Sequence, residues 1–410
     1  MAKKVLVLLL LVLSTFSVSA QKKDVIRATK KDIAQARTYL KAGNNFDKAE
    51  QLMRNRLRDS VNHDNERIWM LLFEAVKKQY DQGNEKLYLK QKYDTAALFN
   101  LTMKMFDVLE GLDSIDARPN ANGQIRPQYR KRHGEFLKDY RRNLFNGGLY
   151  FLSKQKYPDA FRFFEKYIAC AHHPLYAPFR YAETDERLPE ASYWAAYCGY
   201  KNQDPHATLR HTYLALKDTA HYSSMLQYLA DTYRTENDTT RYVETLWEGF
   251  EKYPSESFFF SRLYEHFSAQ ANWNEVLSLA DQALKNDLAN LSAKLVRSSA
   301  LLNTSHYDEC ISFADRLIAQ TDSLPEPYYN AGMACFYQAV EFDKKLRKTN
   351  KQRQQMIALY QRARTYMEHF RELAPADLKR WALPLYTIYL NLNLGSEFDE
   401  INTIIKKNKL

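Results

Sequence analysis

Apolar side chains in the second half of the chain follow a helical spacing that repeats at a fixed interval. Between Leu226 and Tyr233, apolar or small residues occupy the first, fourth, fifth and eighth positions, which form one face of a helix. The spacing returns 34 residues later, from Phe260 to Phe267, and in weaker form from Lys294 to Leu301. This interval is long enough for two short helices and their turns. The pattern therefore predicts helix pairs in tandem.

Two glycines interrupt a helical pattern that runs from Leu144 to Tyr167. Each costs about 1 kcal/mol relative to alanine inside a helix. Close helix packing would offset that cost, and we expect Gly148 to meet Ala160 of the next helix. The same small position in other pairs is predicted for Ala230, Ser298 and Gly332.

The period and its signature residues resemble the tetratricopeptide repeat from about residue 30 to the end. That repeat has the order W-x2-L-G-x2-Y, then A-x3-F, then P. The matching positions in one copy are Leu144, Gly147, Gly148, Phe151, Ala160 and Phe164. The resemblance implies an all-α, tetratricopeptide-type helical-hairpin solenoid that winds as a right-handed superhelix, here with two helical insertions.

The predicted organisation has three parts: a signal peptide at 1–20, irregular repeats at 21–120, and a main array at 121–410. The turn-rich segment 116–127 is the expected boundary between the last two. Insertions are expected between Gln79 and Tyr93 and near 338–358. The proline-containing segment 172–190 is expected to be a loop.

The first twenty residues have the features of a secretory signal. A basic pair precedes an apolar run from Val5 to Leu13, and small residues lead to an expected cleavage between Ala20 and Gln21. The apolar run is too short to span a bilayer. No cysteine lies near the cut, so we expect an exported, periplasmic protein that is not a lipoprotein.

Composition indicates a folded basic protein. The 410 residues are 45% hydrophobic and 26% charged, with a net charge of +10. The densest basic segments are 126–142 and 343–355, which we interpret as solvated helix faces. In an exported protein, acidic lipids, glycans or proteins of the envelope are more plausible counter-charges than nucleic acid.

No motif for catalysis is present in the sequence. Phosphate-binding glycine loops, H-E-x-x-H, C-x-x-C and G-x-S-x-G are all missing. Cys170, His172 and His173 are clustered but lack a fourth ligand for zinc. We therefore expect neither an enzyme nor a bound cofactor or metal.

Residues on the first helices that avoid the apolar positions are expected to line a concave binding face. Their mixture of charged, amide and aromatic side chains suits a protein or peptide partner. These residues are Arg142, Asn146, Gln227, Asp231, Arg234, Arg262, Glu265, Tyr329, Asn330 and Met333. The 29 tyrosines and 22 phenylalanines leave a glycan-binding protein open as the alternative.

Resemblance to exported tetratricopeptide proteins of Bacteroidota implies a non-catalytic interaction scaffold that serves in envelope assembly or as an adaptor. Six Asp-Ser or Asp-Thr steps also resemble the O-glycosylation acceptor motif of those bacteria, although such steps are common as helix caps. The candidate acceptors are Ser60, Thr95, Ser114, Thr219, Thr239 and Ser323.

Four cysteines lie inside apolar helical patterns, where a reduced thiol behaves as a small hydrophobe. Export also permits a disulfide. Cys310 and Cys335 would then join the second helix of one pair to the first helix of the next. Sequence alone leaves both states open.

Overall fold

A computed structural model describes residues 25–344 and 349–410. The predicted signal peptide at 1–20 and its expected cleavage position lie outside these described residues. Every regular element within them is a helix, and no strand occurs in these two ranges. The predicted all-α class is therefore confirmed.

The chain divides into two compact units, one up to Glu236 and the other from Asn237 to Leu410. The turn-rich segment 116–127 joins two helices of the first unit. The division between the units therefore does not coincide with the boundary expected near residue 120.

The first unit contains eleven described α-helices, and most of them form pairs joined by short turns. The first helix, α1, covers residues 25–42. The others are α2 (Phe46–Leu57), α3 (Glu66–Tyr88), α4 (Thr95–Asp116), α5 (Arg130–Ser153), α6 (Tyr157–Ala169), α7 (Tyr181–Thr184), α8 (Leu188–Lys201), α9 (Pro205–Leu209), α10 (Thr212–Ala215) and α11 (Tyr222–Thr235).

The second unit contains nine described helices. They are α12 (Thr239–Lys252), α13 (Ser257–Ala269), α14 (Trp273–Asn286), α15 (Leu291–Asn303), α16 (Tyr307–Gln320), α17 (Pro325–Asp343), α18 (Asn350–Leu373), α19 (Leu378–Asn391) and α20 (Gly395–Asn408). Each helix packs against the next one along the chain. The short connections make these neighbours antiparallel.

The helix starts in the second unit keep the 34-residue register. The first helices α13 and α15 begin at Ser257 and Leu291, and α17 begins at Pro325. The second helices α14 and α16 begin at Trp273 and Tyr307. This register confirms the tetratricopeptide arrangement predicted from the apolar pattern.

First helices end in a recurring turn with one left-handed residue. In the α13–α14 turn, Ala271 has φ of 53°, and the N–H of Asn272 donates to the carbonyl of Phe267 at 2.9 Å. Ser305 occupies the same place in the next turn, with φ of 61°. The bond from the following residue back to the helix is a Schellman cap, in which glycine is the usual left-handed residue.

Ala271→Gly is expected to raise the free energy of unfolding by about 1 kcal/mol, because an L side chain pays a steric cost in this conformation. Urea denaturation measures the change. Ala280→Gly, at a fully buried position inside α14, is the control and should lower stability instead. A loss of stability in Ala271→Gly would contradict the cap.

The two glycines of α5 lie against two aromatic rings of α6. A Cβ at Gly147 would come within 2.6 Å of the Phe163 ring, and one at Gly148 within 2.6 Å of the Phe164 ring. Ala160 is fully buried, and the three heavy atoms nearest to a Cβ at Gly148 all belong to the Phe164 ring. Both glycines are therefore needed, because α5 accommodates two bulky rings.

The small positions expected in other pairs are buried as well. Ala230 and Ser298 have no solvent exposure. A Cβ at Gly332 would come within 2.8 Å of the Met367 side chain in α18. These positions confirm that first helices present small residues where other helices pack.

Both expected insertions contain lengthened helices, and residues 345–348 of the second insertion lie outside the described residues. The α3 and α4 helices have 23 and 22 residues, and α18 has 24, whereas α13 to α16 have 13 or 14. The segment 172–190 is not a simple loop. It contains a 3-10 helix, Pro174–Phe179, in which buried Tyr176 donates a hydrogen bond to Glu110 at 3.0 Å.

The basic segment 126–142 is only partly a solvated face. Lys131 and Arg132 are exposed, but Arg130 makes two hydrogen bonds of 2.8 Å to Asp113, which is 3% exposed. Arg141 is buried between the rings of Tyr167 and Tyr181, at 3.8 and 4.0 Å from their centres. These two arginines hold the fold together and are not available to a partner.

All four cysteines are buried free thiols. The expected alternative of a Cys310–Cys335 disulfide is not formed, and the Cys310 thiol donates to the carbonyl of Ser298 at 3.5 Å. Burial raises the pKa of Cys310 to about 12 and that of Cys335 to about 11. At neutral pH both groups are therefore protonated and poorly nucleophilic.

The native protein is expected to react very slowly with iodoacetamide at pH 8, because burial limits access and the raised pKa values leave almost no thiolate. After unfolding without reductant, all four cysteines should react, as counted by mass spectrometry. A count of two after unfolding would show that one disulfide exists in the natural protein.

Candidate functional site

A groove of about 600 Å³ crosses the first helices of the second unit. Residues of α13, α15 and α17 line it, together with Trp273 from the start of α14 and Arg380 from α19. The repeat places these side chains together, because successive first helices present equivalent faces. The volume falls in the range of roughly 300–1,000 Å³ that is typical of ligand sites.

One end of the groove holds an arginine whose charge is already compensated. Arg380 donates from Nη1 and Nη2 to the two carboxylate oxygens of Glu326, at 2.7 and 2.6 Å. Its guanidinium lies 3.8 Å from the centre of the Tyr329 ring, and Asp377 accepts a further bond at 3.4 Å. The hydrogen bonds to Glu326 raise the pKa of Arg380. This end of the groove therefore carries no net positive charge.

Asn330 supplies a hydrogen-bond acceptor to the groove. The residue is 2% exposed, and its Nδ2 donates to the hydroxyls of Ser298 and Ser299 at 3.1 and 3.2 Å. Its Oδ1 accepts no hydrogen bond from any residue that the structure describes. This oxygen is not fully buried, so it stays open to the solvent of the groove and can accept a hydrogen bond from a ligand.

The remaining lining is apolar at the floor and aromatic or hydroxylated around it. Leu295, Val296 and the buried Leu302 come from α15, and buried Phe260 comes from α13. The other lining residues include Ser261, Ser292, Ser299, Asn303, Tyr264 and Tyr337. The groove can therefore take an apolar side chain and hydrogen-bond the polar atoms beside it.

The residues of the second unit that were expected on the binding face lie in different environments. Tyr329 and Asn330 line the groove, whereas Met333 is 5% exposed and packs in the core, so it cannot contact a partner as expected. Arg262 and Glu265 lie on α13 and pair with each other at 3.3 Å.

The expected residues of the first unit lie on α5 and α11. Arg142 is exposed and Asn146 is half-buried on α5, while Gln227 is half-buried on α11. Asp231 accepts a hydrogen bond from the Tyr200 hydroxyl at 3.0 Å. Together with Arg234 it lines a second groove, of about 550 Å³.

Sequence reasoning missed the charged pair Glu326 and Arg380. Both lie on first helices, but α18 is longer than the other second helices. That extra length displaces α19 from the 34-residue register, so Arg380 has no equivalent in the simple repeat. The sequence did offer one indication, because Arg380 lies in the first turn of α19, which is the first helix of the following pair.

Five of the six candidate acceptor hydroxyls are exposed, and Thr95 is half-buried. Asp94 and Asp238, which precede Thr95 and Thr239, cap their helices by accepting N–H bonds from Ala96 and Arg241. Helix capping therefore explains the Asp residue at two of the six candidate sites. Glycosylation of the hydroxyls stays a prediction.

Across 25–344 and 349–410, no three or more His, Cys, Asp or Glu side chains are grouped so that they could hold a metal ion. None of the described helices combines the length and the apolar character that crossing a membrane requires.

No family model and no curated protein sequence matches this chain. Among solved structures, it is similar to the C-terminal part of a TPR repeat-containing protein from Cytophaga hutchinsonii, with 11% identity and a TM-score of 0.42. That match covers 64% of this chain and 94% of the other. Yeast Tom70 is similar at 12% identity and a TM-score of 0.26, covering 94% of this chain and 92% of that one. Both TM-scores are below 0.5. The evidence for the repeat arrangement is therefore the 34-residue spacing of the helix starts in this chain.

Proposed function

We propose that this protein is a non-catalytic interaction scaffold that binds a polypeptide segment in the groove of the second unit. The observation that carries the proposal is the groove itself, in which first helices place an unpartnered Asn330 oxygen beside an aliphatic floor. A polypeptide offers both a backbone N–H and apolar side chains. The lining carboxylate, Glu326, is held by Arg380 and is poorly placed to move a proton.

A glycan is the second candidate, because aromatic side chains such as Tyr264, Trp273 and Tyr337 border the groove. The floor argues against it. Sugar hydroxyls placed against Leu295, Val296 and Leu302 would lose hydrogen bonds to water without gaining partners.

We further propose that the protein acts in the periplasm, as the signal-like segment 1–20 suggests. Service in envelope assembly would follow from that location. Cell fractionation and N-terminal sequencing test it. A mature chain that begins at Gln21 supports export, and a cytoplasmic protein that retains Met1 would contradict it.

Photo-crosslinking in the native cell tests the proposed function. A benzoylphenylalanine in place of Tyr337, which lines the groove and is 39% exposed, should give discrete polypeptide adducts. The control position is Leu288, which is 80% exposed in the same unit and does not line the groove. Adducts at both positions alike, or at neither one, would contradict binding in the groove.

A further inference from the structure

We infer that the groove selects an extended polypeptide segment that has an apolar side chain and carries no acidic side chain where it contacts α17 and α19. This inference rests on the proposed function and specifies its ligand. It is carried by three features: the compensated Arg380, the Asn330 oxygen and the aliphatic floor.

The charge arrangement excludes an acidic ligand. Glu326 occupies both terminal nitrogens of Arg380, and the rings of Tyr329 and Phe370 lie 3.8 and 5.0 Å from its guanidinium. A ligand carboxylate would have to displace Glu326 or add a second negative charge beside it. Either change is costly in a partly desolvated site.

The Asn330 oxygen favours a ligand that donates a hydrogen bond. Because this oxygen has no partner among the described residues and is open to the groove, a backbone N–H of the ligand can donate to it in place of water. A carboxylate cannot donate and would place its negative charge against the amide oxygen. Asn330, like Glu326, therefore disfavours an acidic ligand.

The floor supplies the remaining selectivity. Leu295 and Val296 are half-buried and border Leu302, so a leucine- or phenylalanine-sized side chain would remove this surface from water. Ser261 and Ser292 at the edge are exposed and can hydrogen-bond a peptide backbone. The ligand is thus an uncharged, partly apolar stretch.

Selection of displayed short random peptides on the full-length protein tests this inference. The groove variant is Glu326→Gln, which keeps the size of the side chain but leaves only Asp377 opposite Arg380. The matched control is Glu275→Gln, an exposed glutamate on α14 that does not line the groove. Circular dichroism verifies that each variant is folded.

Wild type and Glu275→Gln are expected to enrich peptides that contain Leu, Ile, Phe or Tyr and no Asp or Glu. In Glu326→Gln, acidic peptides should rise about tenfold relative to wild type, because Nη2 of Arg380 loses its carboxylate partner. Enrichment of acidic peptides by the wild type would overturn the inference, as would an unchanged selection in Glu326→Gln.

Blocking the groove separates failure of this inference from failure of the proposed function. Ser261→Trp fills the groove from an exposed position, and Ser312→Trp makes the same change on α16, away from it. If acidic peptides bind wild type and Ser261→Trp removes them, the inference fails but the groove still binds polypeptide. If no peptide is selected, or Ser261→Trp binds like wild type, both fail. A positive glycan array with no peptide binding would support the alternative function.

Discussion

Gly199→Ala is expected to lower the free energy of unfolding by about 3 kcal/mol. Gly199 lies in α8, and a Cβ there would come within 2.4 Å of the backbone nitrogen of Thr208 and 2.7 Å of the carbonyl carbon of Ala207. Those atoms belong to α9, whose start is fixed by the Asp204 side chain that accepts the Ala207 N–H at 3.0 Å. A backbone cannot rotate away as a side chain can, so α8 and α9 must separate.

Urea denaturation followed by circular dichroism measures this loss. Gly395→Ala is the matched control, because no atom lies within 4 Å of the position where its Cβ would stand. That variant should be unchanged or stabilised by up to about 1 kcal/mol through helix propensity. Equal stability of Gly199→Ala and wild type would contradict the close packing of helices on which this fold depends.

Arg130→Met is expected to destabilise the protein by about 3–5 kcal/mol. Arg130 forms an ion pair with Asp113 through two hydrogen bonds of 2.8 Å. The side chain of Asp113 is 2% exposed. Removal of the arginine leaves a buried carboxylate without its counter-charge. Asp113 lies near the end of α4, so the loss should loosen the contact between α4 and α5.

Lys131→Met is the control for this change. Because Lys131 is exposed, its replacement should change the free energy of unfolding by no more than about 0.5 kcal/mol. The double variant Arg130→Met with Asp113→Leu should recover most of the stability, since no buried charge remains. A double variant as unstable as Arg130→Met alone would show that the arginine acts through packing instead.

The apolar period allowed much of the fold to be predicted from the sequence. Repetition over 34 residues identified the helix pairs, and the small residues Gly148, Ala230 and Ser298 identified where they pack. The contact between Gly148 and the Phe164 ring was not predicted, because spacing alone does not show where an aromatic side chain of the next helix lies. The 3-10 helix within 172–190 was also not predicted. Its buried Tyr176 donates a hydrogen bond to Glu110, which is distant in the sequence.

The groove could be predicted only in outline. First-helix placement identified Tyr329 and Asn330, but the same argument included Met333, which packs inward. The neutral character of the groove depends on Glu326 and Arg380, which lie 54 residues apart. The long α18 breaks the register between them, so no repeat argument could have paired these residues.

Hydrogen–deuterium exchange of the full-length protein, with and without a peptide selected on the wild type, tests the central claim most directly. Binding in the groove predicts slower exchange in peptic fragments from α13, α15 and α17, with α14 and α16 changed much less beyond the first turn of α14. Protection that is confined to α14 and α16, or absent from the second unit, would contradict the claim that first helices form the binding surface.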